Sequence, residues 1–226
     1  MGLSSDLGGD RNLTWHTLQA RELRWRTLGQ QPVIAWLTGL SGSGKSSIAN
    51  AVDRKLTQAG RATMVLDGDN LRHGLSRDLG FTDADRIENI RRAAETAKLM
   101  AEAGVITIVS LISPFRKERA AARAAAGDVA FLEVFVDTPL KICEARDPKG
   151  LYERARSGTI PNFTGISAPY EAPNEPDLTL VTEGRSITAS AMPLISTLMH
   201  LSAQRFSQDR RSQPDSSERS FSEMRC

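Results

Sequence analysis

Apolar, β-branched runs recur along the chain at residues 33–38, 62–66, 105–111, 131–136 and 178–181. Between the first four lie stretches of helical character, at 45–59, 83–103 and 116–126. Strands alternating with helices of this length predict an α/β fold: a parallel five-stranded sheet with helices on both faces. The second helix is the most sharply drawn. Thr82 with Asp85 resembles a capping box, Ile87, Ile90, Ala94, Ala97 and Ala101 form one apolar stripe, and Gly104 is placed to stop the helix. On a different side, Arg86 and Asn89 stand at i and i+3, so both can face one target.

The ends of the chain follow a different pattern. Residues 1–30 are polar with scattered aromatics (Trp15, Trp25) and are expected to form a packed N-terminal arm, ahead of one domain at 31–204. From 205 to 226 the chain is rich in Ser, Arg and Asp with little to bury, which predicts a disordered tail. Of the 226 residues, 40% are hydrophobic and 25% charged, as in an ordinary globular domain. The longest apolar run is far short of the roughly 18–20 residues that span a bilayer, so no membrane association is expected. The N-terminus lacks the basic-then-apolar layout of a secretory signal. Two cysteines, Cys143 and Cys226, make no disulfide framework, and a reducing cytoplasm suits the chain. The net charge is +2, with Lys and Arg interleaved among Asp and Glu, which argues against nucleic-acid binding as the main function.

The chemistry begins after the first strand. Gly39-Leu40-Ser41-Gly42-Ser43-Gly44-Lys45-Ser46 matches G-x-x-x-x-G-K-[ST], between a predicted strand and a predicted helix, the context this phosphate-binding loop requires. Its glycines let successive backbone N–H groups curl around phosphate oxygens, and the helix N-terminus adds favourable partial charge. Lys45 is expected to reach the β- and γ-phosphates, and the Ser46 hydroxyl to help hold Mg²⁺. The ligand is a purine nucleoside triphosphate, with ATP the expected one.

In open α/β sheets, ligands bind beyond the carboxyl ends of the strands. Here the first four strands end in distinctive segments: the phosphate loop, Asp67-Gly68-Asp69-Asn70-Leu71-Arg72, Ile112-Ser113-Pro114-Phe115-Arg116, and Asp137-Thr138-Pro139. Asp67 and Asp69, spaced i and i+2 near a phosphate loop, point to metal and acceptor handling more than to helix capping. Residues 146–173 form a long connection rich in Gly, Pro, Lys and Arg. It also keeps Leu151, Tyr152, Ile160, Phe163 and Tyr170, which a linker would not need. This combination predicts a mobile cationic lid, at about 147–173, which would exclude water during phosphoryl transfer.

Five segments together resemble the adenylyl-sulfate kinase (APS kinase) family: GLSGSGKSS, DGDNLRHGLSRDLGFTDADRIENIRR, ISPFR, VFVDTPLKICEARDPKGLY and NFTGISAPYEAP. The likeness runs from about Asn12 to about Leu201. The phosphate loop is generic to many NTPases; the DGDN-to-NIRR run and the KGLY…NFTGI…YEAP lid are specific to this family. The resemblance implies a P-loop kinase fold, ATP and adenosine 5′-phosphosulfate as substrates, Mg²⁺, and commonly a homodimer. It implies transfer of the γ-phosphoryl of ATP to the 3′-hydroxyl of the acceptor, giving 3′-phosphoadenosine 5′-phosphosulfate (PAPS) for sulfate activation.

By that likeness Gly39, Ser41, Gly42, Ser43, Gly44, Lys45, Ser46 and Ser47 belong to the ATP phosphate site, and Arg146 lies near the adenine of ATP. Asp67 and Asp69 match the family's paired aspartates: Asp69 is the candidate to orient or deprotonate the 3′-hydroxyl, and Asp67 stands nearer the metal. Arg72, Arg86 and Asn89 match acceptor-binding residues, and two guanidinium forks suit a phosphosulfate. Phe81 and Phe163 match aromatics that hold the acceptor's adenine, although either could be a core residue. Phe131 and Phe135, inside a predicted strand, read as core. Ile112, Ser113 and Lys149 also match acceptor-site positions. No base stands beside Ser113, which favours direct in-line transfer over a phospho-serine intermediate. His16, His73 and His200 are not spaced as metal ligands, and Cys143 reads as a buried, inert thiol in a helix.

The departures are mild. Leu111 stands where the family more often has Phe, and Ser47 where Thr is usual. Some relatives are fused to an ATP sulfurylase; no such domain is visible, the chain could be a piece of a fused protein, and association with a sulfurylase is a possible partnership. A GTPase-type switch would need an N-K-x-D segment, which is absent, and its D-x-x-G match (Asp147 to Gly150) falls after the fourth strand rather than the third. An oligomerising ATPase would want an acid at the end of the third strand, where LISP stands.

Overall fold

A computed structural model describes residues 16 and 18–203, so the tail at 205–226 and Trp15 lie outside the described residues. Five parallel strands, β1 (Val33–Thr38), β2 (Thr63–Asp67), β3 (Ile106–Ser110), β4 (Ala130–Asp137) and β5 (Leu178–Val181), form one sheet in the order β2-β3-β1-β4-β5. β1 is central and all six of its residues are buried. It pairs Ile34 with Thr107 on one side and Thr38 with Phe135 on the other.

Alternation along β1 divides the core in two. Val33, Ala35 and Leu37 point to one face, covered by α2 (Lys45–Gln58) and α8 (Ile187–Ala203) through Ile48, Val52, Leu56, Leu194 and Leu198. Ile34 and Trp36 point to the other, covered by α4 (Asp83–Glu102) and α5 (Arg116–Ala126) through Ile90, Ala93, Ala97 and Ala122. The helices after the adjacent strands β1 and β3 therefore leave to opposite faces, which opens a crevice at their carboxyl ends.

α4 carries the expected capping box: the Thr82 hydroxyl accepts from Asp85 N–H at 3.2 Å, and the Asp85 carboxylate accepts from Thr82 N–H at 3.2 Å. Its buried stripe needs a correction. Ala93 lies inside it, whereas Ile87 is 45% exposed. The helix runs antiparallel to the strands, so its first turns project toward the carboxyl edge of the sheet, where Ile90 is the first apolar side chain with a core to enter.

The arm contributes α1 (Arg21–Leu28), closed by Gly29. Trp25 is buried and its indole N–H donates to the Ala101 carbonyl at 3.0 Å. Gln30, fully buried, laces two elements together: its amide donates to the Ala62 and Gly104 carbonyls, both at 2.8 Å, and accepts from Ala62 N–H at 2.9 Å. Three short helices sit at or near the crevice: α3 (Gly68–His73), α6 (Leu140–Arg146) and α7 (Leu151–Arg156). Among the described residues no helix is long and apolar enough to cross a membrane.

Candidate active site

The phosphate loop joins β1 to α2. No side chain caps α2, and its first hydrogen bond runs from Ile48 N–H to the Gly44 carbonyl at 2.9 Å. The amides of Lys45, Ser46 and Ser47 therefore have no helical partner and form an anion-binding end. The loop is anchored from below. The Ser43 carbonyl accepts from the hydroxyls of Thr138 at 3.1 Å and Thr182 at 3.2 Å, and those two hydroxyls contact each other at 2.6 Å. Arg146 braces the same point: it donates to the Thr182 hydroxyl at 2.9 Å and the Thr182 carbonyl at 3.1 Å, with longer bonds to the Gly42 and Ser43 carbonyls at 3.4 Å.

Lys45 is buried, and its ammonium donates to the Gly39 carbonyl at 2.9 Å and the Leu40 carbonyl at 2.7 Å. Burial lowers its pKa to about 8, because the charged form loses hydration. Ser46 and Ser47 are exposed at the mouth. The Ser46 hydroxyl donates to Asp67 Oδ2 at 2.7 Å, which ties the loop to the end of β2.

Asp67 is also the N-cap of α3, accepting from Asp69 N–H at 3.0 Å. Capping and chemistry do not compete at this aspartate: one oxygen caps while the other faces Ser46. Asp69 is exposed and forms an ion pair with Lys149 of the lid. Two oxygens, Ser46 Oγ and Asp67 Oδ2, thus stand side by side at the loop. They are hard donors, and they fit Mg²⁺, which takes one or two side-chain oxygens and completes its shell with phosphate oxygens and water. Among the described residues no group of three or more His, Cys, Asp or Glu could hold a metal.

On the far side of the crevice, Arg72 donates to the Gly80 carbonyl at 2.6 Å and lies 4.4 Å from the ring centre of Phe81. Phe81 itself is 67% exposed. Arg86 donates to the Phe81 carbonyl at 3.0 Å, to the Thr164 hydroxyl at 2.6 Å and to the Asn162 carbonyl. Asn89 is buried, and its Oδ1 has no partner among the described residues. A buried amide oxygen left unpaired is costly, and such an atom normally has a partner outside the chain. Phe163 is not beside Phe81 in kind: it is buried in the lid's own cluster with Cys143 and Ala155, edge-on to Tyr152 at 5.0 Å between centres.

Ile112 is partly exposed and Ser113 is buried. Ser113 has φ 44°, and its hydroxyl accepts from the Trp36 indole N–H at 3.0 Å. A side chain so enclosed does not offer a free nucleophile. Cys143 lies in α6 with no exposure, and burial pushes its thiol pKa up, which leaves it inert. Phe131 stacks on Trp36 at 6.0 Å and Phe135 on Tyr170 at 6.3 Å, as strand residues packed against neighbours.

The lid rests against the loop. The Tyr152 hydroxyl donates to the Ser41 carbonyl at 2.8 Å, and Asp147 accepts from the amides of Leu151 and Tyr152, which starts α7. Thr138, Thr182, Tyr152 and Tyr170 were not singled out from sequence as site residues. Thr138, Tyr152 and Tyr170 stand inside distinctive segments and Thr182 outside them, but no segment reveals these contacts, because each acts on a backbone carbonyl or a hydroxyl far away in the chain.

The family model described as adenylylsulphate kinase matches residues 31–181. The adenylyl-sulfate kinase of Aeromonas hydrophila subsp. hydrophila is 50% identical over 188 residues, covering 83% of this chain and 95% of that protein. The bifunctional enzyme NodQ of Azospirillum brasilense is 60% identical over 169 residues, 75% of this chain; the chain spans only 27% of that relative's length. A solved structure of the Mycobacterium tuberculosis APS kinase CysC in complex with AMPPNP and APS matches with a TM-score of 0.73 at 53% identity, covering 75% of this chain and 98% of that one.

Proposed function

The chain belongs to the adenylylsulphate kinase family, and on that premise we propose that it transfers the γ-phosphoryl of ATP to the 3′-hydroxyl of adenosine 5′-phosphosulfate, giving ADP and PAPS. The observation that carries the reading is the meeting of three segments: the phosphate loop bonds to Asp67 through Ser46, and Asp69, two residues on, pairs with Lys149 of the lid. A donor site, a carboxylate pair and a closing cation then share one crevice.

In this reading the amides of the loop and Lys45 hold the β- and γ-phosphates. Ser46 and Asp67 would hold Mg²⁺, which supplies charge neutralisation between the phosphates when bound. Asp69 orients the 3′-hydroxyl or takes its proton, a contribution of about 10²–10⁴ in rate. Lys149, paired with Asp69 in the free site, turns toward the acceptor's phosphosulfate when that arrives. Arg72 and Arg86 supply guanidinium forks for the same anion, and the orphaned Oδ1 of Asn89 is suited to accept a hydrogen bond from the acceptor. Phe81 offers an exposed flat ring to adenine; Phe163 shapes the lid beneath. Transfer is in-line, and the lid keeps water from the γ-phosphoryl. The proposal extends to a homodimer working in the cytoplasm beside an ATP sulfurylase, on the strength of the family alone.

The test follows ADP and PAPS together, with Mg-ATP in the presence and absence of adenosine 5′-phosphosulfate. The expected result is ADP formed one-for-one with PAPS, and almost none without the acceptor. Steady ADP release that ignores the acceptor would sink the reading.

A further inference from the structure

Arg119 belongs to none of the segments that carry the family likeness, yet its guanidinium is buried, with 1% of the side chain exposed. All three of its nitrogens are engaged, in three directions. Nε donates to Glu133 of β4 at 2.6 Å, one terminal nitrogen to the Ser113 carbonyl at 2.6 Å, and the other to the Glu171 carbonyl at 2.8 Å. The ion pair with Glu133 alone would satisfy the charge. The other two arms instead join two backbone segments that are far apart in the chain, at Ser113 and Glu171.

Those two segments are bound to each other all along their length. Glu171 N–H donates to the Pro114 carbonyl at 2.8 Å, Arg116 N–H to the Glu171 carboxylate at 2.9 Å, and the Arg116 guanidinium to the Ala172 carbonyl at 2.8 Å. The Thr38 hydroxyl donates to the Ile112 carbonyl at 2.7 Å and contacts the Tyr170 hydroxyl at 3.0 Å. At the centre, Ser113 is held at φ 44°, a conformation that a residue with a Cβ keeps only when its surroundings impose it.

We infer that Arg119 is a positioning residue for the acceptor: its guanidinium clamps the segment carrying Ile112 and Ser113 to residues 170–172 at the C-terminal foot of the lid. The clamp sets both the acceptor surface and the pivot from which the lid closes. The inference rests on the proposed function and on the family likeness that puts Ile112 and Ser113 at acceptor-site positions. A lysine could keep the pair with Glu133, but its donors radiate from one nitrogen and cannot span both carbonyls as a planar fork does.

The experiment compares Arg119→Lys with wild type in the ADP and PAPS assay, with Glu133→Gln as the matched control. Glu133→Gln removes the charge partner and leaves both carbonyl bonds in place. Displacement of a binding surface by an ångström costs up to about a hundredfold, so Arg119→Lys is expected to raise KM for adenosine 5′-phosphosulfate by about tenfold or more. KM for ATP should stay within about twofold in both variants, and Glu133→Gln should lower Tm while leaving the acceptor KM within about twofold. An unchanged acceptor KM in Arg119→Lys, or an equal rise in KM for ATP, would overturn the assignment. If Arg119→Lys does not fold, Arg116→Ala removes an exposed tie to the same foot, with an expected rise in acceptor KM of about threefold and no change as the contrary result. Wild type that makes no PAPS refutes the proposed function; active wild type with an indifferent variant refutes only the clamp.

Discussion

At the phosphate loop, Gly39 and Gly42 have φ of 151° and 73°, and a Cβ on either would stand 2.7 Å from the Val136 carbonyl or 2.9 Å from the Cys143 carbonyl. In the lid, Gly150 and Gly158 have φ of 61° and 76° with nothing within 4 Å of such a Cβ. The loop is thus packed backbone against backbone on β4 and α6. The lid is fastened by side chains that reach across: Tyr152 to Ser41, Lys149 to Asp69, and Arg86 to Thr164 and Asn162. Backbone contacts of the first kind have no rotamer that relieves them, whereas long polar side chains release and re-form. On the function proposed above, the donor half of the site is preformed and the acceptor half is assembled as the lid closes.

The contrast breaks most visibly at Lys45. Lys45→Met keeps the buried stem and deletes the charge, and kcat for PAPS formation is expected to fall by about 10²–10³-fold, as for loss of one group that stabilises transition-state charge. A loss of less than about tenfold would place the phosphate charge elsewhere.

A pair of glycine substitutions sets the two regions side by side. Gly42→Ala must displace the Cys143 carbonyl as well as strain its own backbone, at about 1–3 kcal/mol, and should weaken ATP binding about tenfold. Gly158→Ala meets open space and carries only the left-handed cost of about 1–2 kcal/mol, read as a fall of several degrees in Tm with ATP affinity unchanged. Equal losses of ATP affinity in calorimetry would erase the distinction.

The preformed half also carries a pH signature. Lys45 in the free protein has a pKa lowered to about 8, so it is charged below that pH and neutral above it. ATP phosphates favour the charged form, so affinity should hold up to pH 8 and then decline by up to about tenfold per pH unit, until the pKa of the complex is reached. Proton uptake should accompany binding near pH 8. A Kd that stays flat between pH 7 and 9 would mean that Lys45 remains charged throughout.

The smallest expected effect lies in the lid. Tyr152→Phe removes one hydrogen bond, worth about 1 kcal/mol, between the lid and the Ser41 carbonyl. Acceptor-independent ADP release should rise by about fivefold, with ATP affinity intact. No rise would show that this contact does not help the lid exclude water.

Much of this architecture is legible in local pattern. Five strands and three helices appear within a residue or so of their expected ends, because alternation and helical spacing are properties of consecutive residues. Other elements hide. α8 contains Pro193 and follows a polar turn, so its pattern does not announce a helix; it forms because Ala191, Leu194 and Leu198 bury against the face shared with α2. α3 occupies six residues whose motif reads as chemistry before it reads as a helix. Ile87 fits the stripe of α4 by spacing and fails by location, since spacing cannot say where the sheet ends. Phe81 and Phe163 look equivalent in sequence, yet one is exposed beneath a guanidinium and the other is buried with Tyr152.

By itself, the sequence determined the parallel α/β class, the phosphate loop at the end of β1 and the family, since each depends on short runs whose residue types have one physical use. Only the tertiary structure decided which distant groups meet. Lys149 reaches Asp69 across 80 positions, and Arg119 joins Ser113, Glu133 and Glu171 from a helix with no motif. Such pairings carry no local signature, because a charge is satisfied by whatever carbonyl or carboxylate the packed sheet, helices and lid bring within reach.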